Sequence, residues 1–183
     1  MEFKDTTEAA VARVKSIVES CIASGTVKRL IYTASVVASS PLKEVGKAYK
    51  VHLDESCWTS PSVAVAYGTD LLTELLGKVA ILHLEDVCDA LILCMEKSSM
   101  NGRFLCASAY VSSAEIVGHH QTSFPEIEMP DEFVEKLERK IVWGSTKLKE
   151  AGFEYKYDVK TILEDSINSA LNLGELKIPS SLV

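Results

Sequence analysis

Apolar residues recur at helical spacing at Val11, Val14, Val18, Cys21 and Ile22, and this predicts a first helix closed by Gly25. Asp5-Thr-Thr-Glu8 supplies its start, with Asp5 as cap and Glu8 placed to reach back. The period then changes. Val27-Lys-Arg-Leu-Ile-Tyr-Thr33 is short and rich in β-formers, the pattern of a buried parallel strand. Residues 35 to 62 are loop-like, with Ser, Lys, Pro and acidic residues. Val79–Leu84 forms a second predicted strand, and Glu85-Asp86 starts a helix through about Lys97 whose apolar run, Ala90–Met95, is the longest in the chain. Arg103–Ser108 gives a third strand, ending before a capping box at Ser112-Ser-Ala-Glu115.

The last third is predicted to be helical: a charged helix over Asp131–Lys140, a short one over Thr146–Ala151 stopped by Gly152, and one from an Asp158 cap to Gly174. Strands alternating with helices give the α/β class. Three strands make a small sheet with an exposed edge. The expected organisation is one domain, with an α/β part over 1–108 and a mostly helical part over 109–183.

Composition narrows the function. Hydrophobic residues are 47% and charged residues 25% of 183, so a core is expected rather than a disordered tail. A net charge of −7 with no basic face argues against nucleic-acid or anionic-membrane partners. No apolar run reaches the roughly 18 residues of a membrane span, and MEFKDTTEAA lacks the apolar stretch of a targeting peptide, so a cytoplasmic protein is expected. The five cysteines, at 21, 57, 88, 94 and 106, show no CxxC spacing and are expected to be reduced core residues. His119 and His120 are adjacent and point to different helix faces, so no metal site is expected there.

Several stretches are specific when taken together: Gly25-Thr-Val-Lys-Arg-Leu-Ile-Tyr-Thr-Ala-Ser35, Asp54-Glu-Ser-Cys-Trp58, His83-Leu-Glu-Asp-Val-Cys-Asp-Ala90, Gly102-Arg-Phe-Leu-Cys106 and Ser145-Thr-Lys-Leu-Lys-Glu-Ala-Gly-Phe153. In this order they resemble the extended short-chain dehydrogenase/reductases, closest to the plant dihydroflavonol reductase, anthocyanidin reductase and vestitone reductase group. The resemblance implies a Rossmann-type parallel sheet that holds NADPH and a smaller C-terminal part that closes over a flavonoid-like substrate. It also implies a catalytic tyrosine, a lysine four residues later that lowers the tyrosine's pKa, and a serine. A free tyrosine near pKa 10 is a poor acid at neutral pH and needs that positive charge beside it.

By position, Ser35 is the family's serine, and the backbone of Thr33 and Ala34 would lie where a nucleotide binds. The partners are missing. Four residues after Tyr32, Tyr49, Tyr67, Tyr110, Tyr155 and Tyr157 stand Val36, Leu53, Leu71, Ala114, Val159 and Thr161, never lysine. The nine glycines form no G-x-x-G-x-x-G or G-x-G-x-x-G turn to seat a pyrophosphate on a helix N-terminus.

The expectation is an incomplete Rossmann-type sheet, truncated before the first helix and internally deleted after Trp58, with NADP implied by the family and not bound by this chain. The lineage is an NADPH-dependent oxidoreductase. The alternative is a non-catalytic fragment or interaction subunit that self-associates or pairs with a full-length relative. Without its partners, Ser35 is expected to make only turn hydrogen bonds. Asp86 is expected to cap a helix, with His83 oriented by it. Tyr67 is a poor substitute acid, since Asp70 would raise its pKa. Trp143 is expected either to pack or to line a substrate pocket.

Overall fold

The computed structural model describes residues 6–40, 42, 49–60, 77–125, 127 and 140–176. Residues Met1–Thr33 and Ala34–Val183 form two compact units. In the first, helix α1 spans Thr6–Ser24. Gly25 ends it at φ +63°, a left-handed conformation that costs glycine little. The amphipathic stripe forms as predicted, yet no residue of α1 is buried. The expected Asp5 cap lies outside the described residues.

The Val27–Thr33 strand is a correction. Its residues belong to no β-ladder among the described residues, and Val27, Leu30 and Tyr32 are exposed. Strand propensity alone does not hold an extended segment, which needs a neighbour to take its hydrogen bonds.

The second unit holds two small two-stranded sheets. Strand β1 (His52–Leu53) runs parallel to β4 (Val142–Trp143). Strand β2 (Lys78–Ile81) runs antiparallel to β3 (Ala109–Ser112), with Ala80 opposite Tyr110. The α/β class therefore stands, and its parallel pairing among the described strands is confined to β1 and β4. Gly144, just after β4, donates its N–H to the Leu53 carbonyl at 3.0 Å. A Cβ on Gly144 would sit 2.8 Å from Cβ of His52, so only glycine lets the strands approach this closely.

The third predicted strand is displaced. Residues 103–107 are extended but unladdered, because their backbone groups are taken by side chains. Leu105 N–H donates to the Glu55 carboxylate, Ala107 N–H to the Tyr155 hydroxyl, and the Lys147 ammonium to the Arg103 carbonyl. Pairing with β2 begins only as the chain reaches Ser108, whose N–H meets the Ile81 carbonyl at 3.0 Å.

The helices follow their signals more closely. Helix α2 (Leu84–Glu96) turns Ala90, Leu93 and Cys94 inward at i, i+3 and i+4. Helix α3 (Ser113–Ser123) opens on the complete capping box, in which Ser112 accepts from Glu115 N–H and the Glu115 carboxylate reaches back to Ser112 N–H. Helix α4 (Lys147–Glu150) is followed by Gly152 at φ +86°. Helix α5 (Val159–Asn172) opens on Asp158, whose carboxylate accepts from Thr161 N–H. The predicted helix over Asp131–Lys140 lies, save for Lys140, outside the described residues.

Two cores result. Leu53, Cys57 and Ile141 are buried together beneath Val36, Val37, Tyr110 and Trp143. Ala90, Met100, Leu148 and Phe153 form the other, flanked by Phe104, Cys106 and Tyr155. Trp143 thus packs, tilted at 6.0 Å against Tyr110. All five cysteines are free thiols, with Cys57 fully buried and Cys88 exposed. No described helix is long and apolar enough to cross a membrane.

Candidate functional site: the Ser35 turn

Ser35 stands at the head of a single 3-10 turn, Val36–Ala38. Its backbone is extended, at φ −73° and ψ 149°, and its hydroxyl accepts a hydrogen bond from Val37 N–H at 3.2 Å. This is the turn hydrogen bond expected of it. Ala34 and Ser35 are exposed at the opening of the second unit, and Thr33 is exposed at the end of the first.

The turn is held from behind by a clamp. Thr59 donates its N–H to the Ala38 carbonyl at 3.0 Å and its hydroxyl to the Val37 carbonyl at 2.5 Å. The Arg103 guanidinium forks: Nη2 donates to the Ala38 carbonyl at 3.3 Å and to the Ser39 hydroxyl, while Nη1 donates to the carbonyls of Cys57 at 2.5 Å and Glu55 at 3.3 Å. The Glu55 carboxylate ties the same loop to Leu105 N–H and to the Ser145 hydroxyl, at 3.0 and 2.5 Å. Planar Arg suits this task, because its fork serves two pairs of acceptors in one plane. These clamp residues were not singled out from the sequence. The only signal was the position of Arg103 and Glu55 inside two of the specific stretches.

A ketone reduction needs a proton donor whose pKa lies near the working pH. The described tyrosines that shift go the other way. Burial pushes Tyr110 up to about 12. Tyr155 is also raised, by burial first and then by the neighbouring Cys106. Tyr157 is pushed to about 12 because its hydroxyl donates to the Glu85 carboxylate. Lysines approach two of them, with Lys78 Nζ 5.6 Å from the Tyr110 ring and Lys149 Nζ 5.7 Å from the Tyr155 ring. Both ammonium groups lie over ring faces, a cation–π placement. Tyr67 and Asp70 lie outside the described residues.

A dinucleotide's pyrophosphate needs bare N–H groups at a helix N-terminus, free of negative charge. Helices α2, α3 and α5 each begin with one N–H group already accepted by a cap, at His83, Ser112 and Asp158. Acidic side chains also stand at each start: Glu85 and Asp86 in α2, Glu115 in α3, and Asp158 itself in α5. Burial is slight at Glu115 and Asp158, and backbone N–H bonds to Ser112 and Thr161 hold both below the usual carboxylate range. These described helix starts do not fit a pyrophosphate. Among the described residues no three His, Cys, Asp or Glu side chains are grouped to hold a metal.

The dyad at His83 and Asp86 is a correction to the expected roles. His83 is the cap of α2, its ring nitrogen accepting from Glu85 N–H at 3.2 Å. Asp86 is fully buried one turn in, where one oxygen accepts from Lys156 N–H at 3.1 Å. His83 is oriented by Asp165 and by stacking on Tyr157, not by Asp86.

No family model matches the chain. It is similar to anthocyanidin reductase ((2S)-flavan-3-ol-forming) from Vitis vinifera, 35% identical over 92 residues, which covers 50% of this chain and 27% of that protein. It is similar to dihydroflavonol 4-reductase from Zea mays, 24% identical over 222 positions, covering 88% of this chain and 60% of that protein. Since 88% of 183 residues is about 161, about 60 of those 222 positions fall opposite gaps in this chain. The crystal structure of vestitone reductase from alfalfa (Medicago sativa) superposes with a TM-score of 0.68 at 24% identity, over 87% of this chain and 70% of that one, and establishes the fold. The chain spans less than two thirds of the length of the curated relatives it matches. Over the part that it does span, the chain is similar in sequence to plant anthocyanidin reductases and dihydroflavonol 4-reductases and shares its fold with vestitone reductase.

Proposed function

We propose that this chain descends from NADPH-dependent reductases of flavonoid-type carbonyl or flavylium substrates, and that as 183 residues it does not itself carry out their reaction. The observation that carries this reading is the state of Ser35. Its hydroxyl closes its own turn, and no tyrosine in the sequence has a lysine four residues on. The names of the relatives support the lineage, and the occupied helix starts support weak cofactor binding. Thr33, Ala34 and Ser35 are what remains of the nucleotide and carbonyl contacts, and the cytoplasm is the proposed location.

The test is calorimetric titration of the purified chain with NADPH, followed by a spectrophotometric assay with dihydroflavonol, anthocyanidin and isoflavanone-type substrates. The expected result is no binding in the micromolar range and no NADPH oxidation above background. A micromolar dissociation constant or measurable turnover overturns it.

A second reading is favoured by the first unit. Helix α1 buries none of its residues, and 27–33 belongs to no β-ladder among the described residues. Unpaired strand edges and bare apolar stripes promote association. The chain would then act by self-association or by pairing with a full-length relative. Light scattering that gives a clean monomer, with no complex formed on addition of a full-length relative, rejects this reading.

A further inference from the structure

His83 joins three elements at once. Its side chain is 14% exposed. Nδ1 accepts from Glu85 N–H at 3.2 Å and so caps α2. Nε2 lies 3.2 Å from the Asp165 carboxylate on α5. The ring stacks on Tyr157 with centroids 3.7 Å apart and planes inclined by 20°. A nitrogen that accepts a hydrogen bond carries no proton, so the cap fixes the tautomer with hydrogen on Nε2, pointing at Asp165.

We infer that His83 is a proton-operated latch at the junction of α2 and α5, in which taking up a second proton exchanges the α2 helix cap for a full charge pair with Asp165. Protonation places hydrogen on Nδ1, where it faces the Glu85 N–H donor, and two donors cannot share a hydrogen bond. Glu85 N–H is then left to solvent and the first turn of α2 loosens, while the α5 side of the contact becomes an ion pair. Imidazole is the side chain whose ordinary titration spans roughly pH 5 to 8.

Asp165 from α5 and Tyr157 from the segment before α5 meet the ring, Glu85, Asp86 and Asp89 of α2 act on Tyr157, and Lys156 is paired with Asp89. The positive end of the α2 dipole and the lost cap oppose the second proton. The device is independent of the proposed loss of reductase activity.

The experiment is nitrogen-resolved NMR of the histidine rings, with amide exchange, on the full chain between about pH 8 and about pH 5. His83→Asn is the reference, because an Asn side chain caps a helix at every pH in that range. At the alkaline end the His83 ring should carry its proton on Nε2 alone. As the ring titrates, Glu85 N–H exchange relative to His83→Asn should rise by about tenfold, in line with the loss of a cap. A proton on Nδ1 at the alkaline end overturns the inference, as does a ring that titrates with the exchange ratio unchanged, or a ring that does not titrate in this range. If His83→Asn fails to fold, the wild-type Glu85 amide shift decides: it must follow the ring titration, and a shift that does not follow it rejects the latch.

Discussion

The guanidinium of Arg103 lies 4.0 Å from the ring centre of Trp58, while its nitrogens hold four acceptors on the loop that carries Ser35 and Glu55. Arg103 therefore ties Ala38 and Ser39 to Glu55 and Cys57 from one point. Arg103→Ala should cost about 2–4 kcal/mol, because hydrogen bonds to a charged group contribute about 1.5–3 kcal/mol and do not add fully. Arg103→Lys should recover little of this, since one ammonium cannot span both pairs of acceptors. Urea unfolding followed by tryptophan fluorescence reads the change, and a loss below about 0.5 kcal/mol would show that the fork is incidental.

Local signals in the sequence were legible where the physics is local. The capping box at Ser112, the Asp158 cap and the glycines at 25, 152 and 174 all stand where spacing put them, because each depends on hydrogen bonds or dihedral freedom within a turn. The acceptors of Arg103 lie 46 to 65 residues away along the chain, and no local pattern announces them. The strands fared worst for the same reason. The backbone of residues 103–107 has strand character, but the side chains of Glu55, Tyr155 and Lys147 reached it before another strand did. His83 and Asp86 exchanged roles because either can cap a helix. The backbone N–H of Lys156 drew Asp86 inward and left the cap to His83. At the site, the turn hydrogen bond of Ser35 was legible in the sequence, while the clamp behind the serine is a tertiary feature.

Ser112→Ala should remove the side-chain half of the α3 capping box, leaving the Ser112 N–H bond to Glu115 in place, and cost about 1 kcal/mol. It also carries a pH signature. In the folded chain, the bonds from the Ser112 N–H and hydroxyl hold Glu115 below its ordinary 4.5. A depressed carboxylate contributes stability that is present above pH 4.5 and lost as pH falls through the lower folded value. Stability curves from about pH 6 to about pH 2 should therefore draw closer for wild type and Ser112→Ala toward the acid end, with the uncharged bond from Glu115 N–H to the Ser112 hydroxyl left as a residual gap. A constant gap across that range would mean that Glu115 is not engaged by Ser112 in solution.

The alkaline limb has the opposite sign. Burial raises the Cys106 thiol from 9.0 to about 11 and the Tyr110 hydroxyl from 10.0 to about 12. Below pH 9 both are neutral in the folded and the unfolded chain, and stability does not change with their titration. Above it the unfolded chain gives up protons that the folded chain retains, so stability declines from about pH 9 toward pH 11 to 12. Cys106→Ser should reduce the slope between pH 9 and 11 without altering the segment above it. Urea midpoints measured across this range check the claim, and midpoints that stay level from pH 9 to 11 would contradict it.

Ser35→Ala separates a structural serine from a catalytic one. The hydroxyl makes one exposed hydrogen bond, to Val37 N–H, in a turn that Thr59 and Arg103 hold without its help. Removing a cap from a full helix costs about 0.5–2 kcal/mol. In a three-residue turn clamped from behind, the loss should fall at or below about 0.5 kcal/mol, a shift of about 1–2 °C in melting temperature for a chain of this size. In catalysis a placed acid or base contributes about 10²–10⁴ in rate, and holding two reactants in line contributes about 7–11 kcal/mol more. Ser35 alone supplies neither, since no tyrosine in the sequence has a lysine four residues on and its own oxygen is engaged by the turn. Wild type and Ser35→Ala should therefore both show only background NADPH oxidation, and should melt within about 2 °C of one another. Turnover in the wild type that the substitution abolishes, with the melt unchanged, would mean that a working site is built around this serine from residues assigned here to structure.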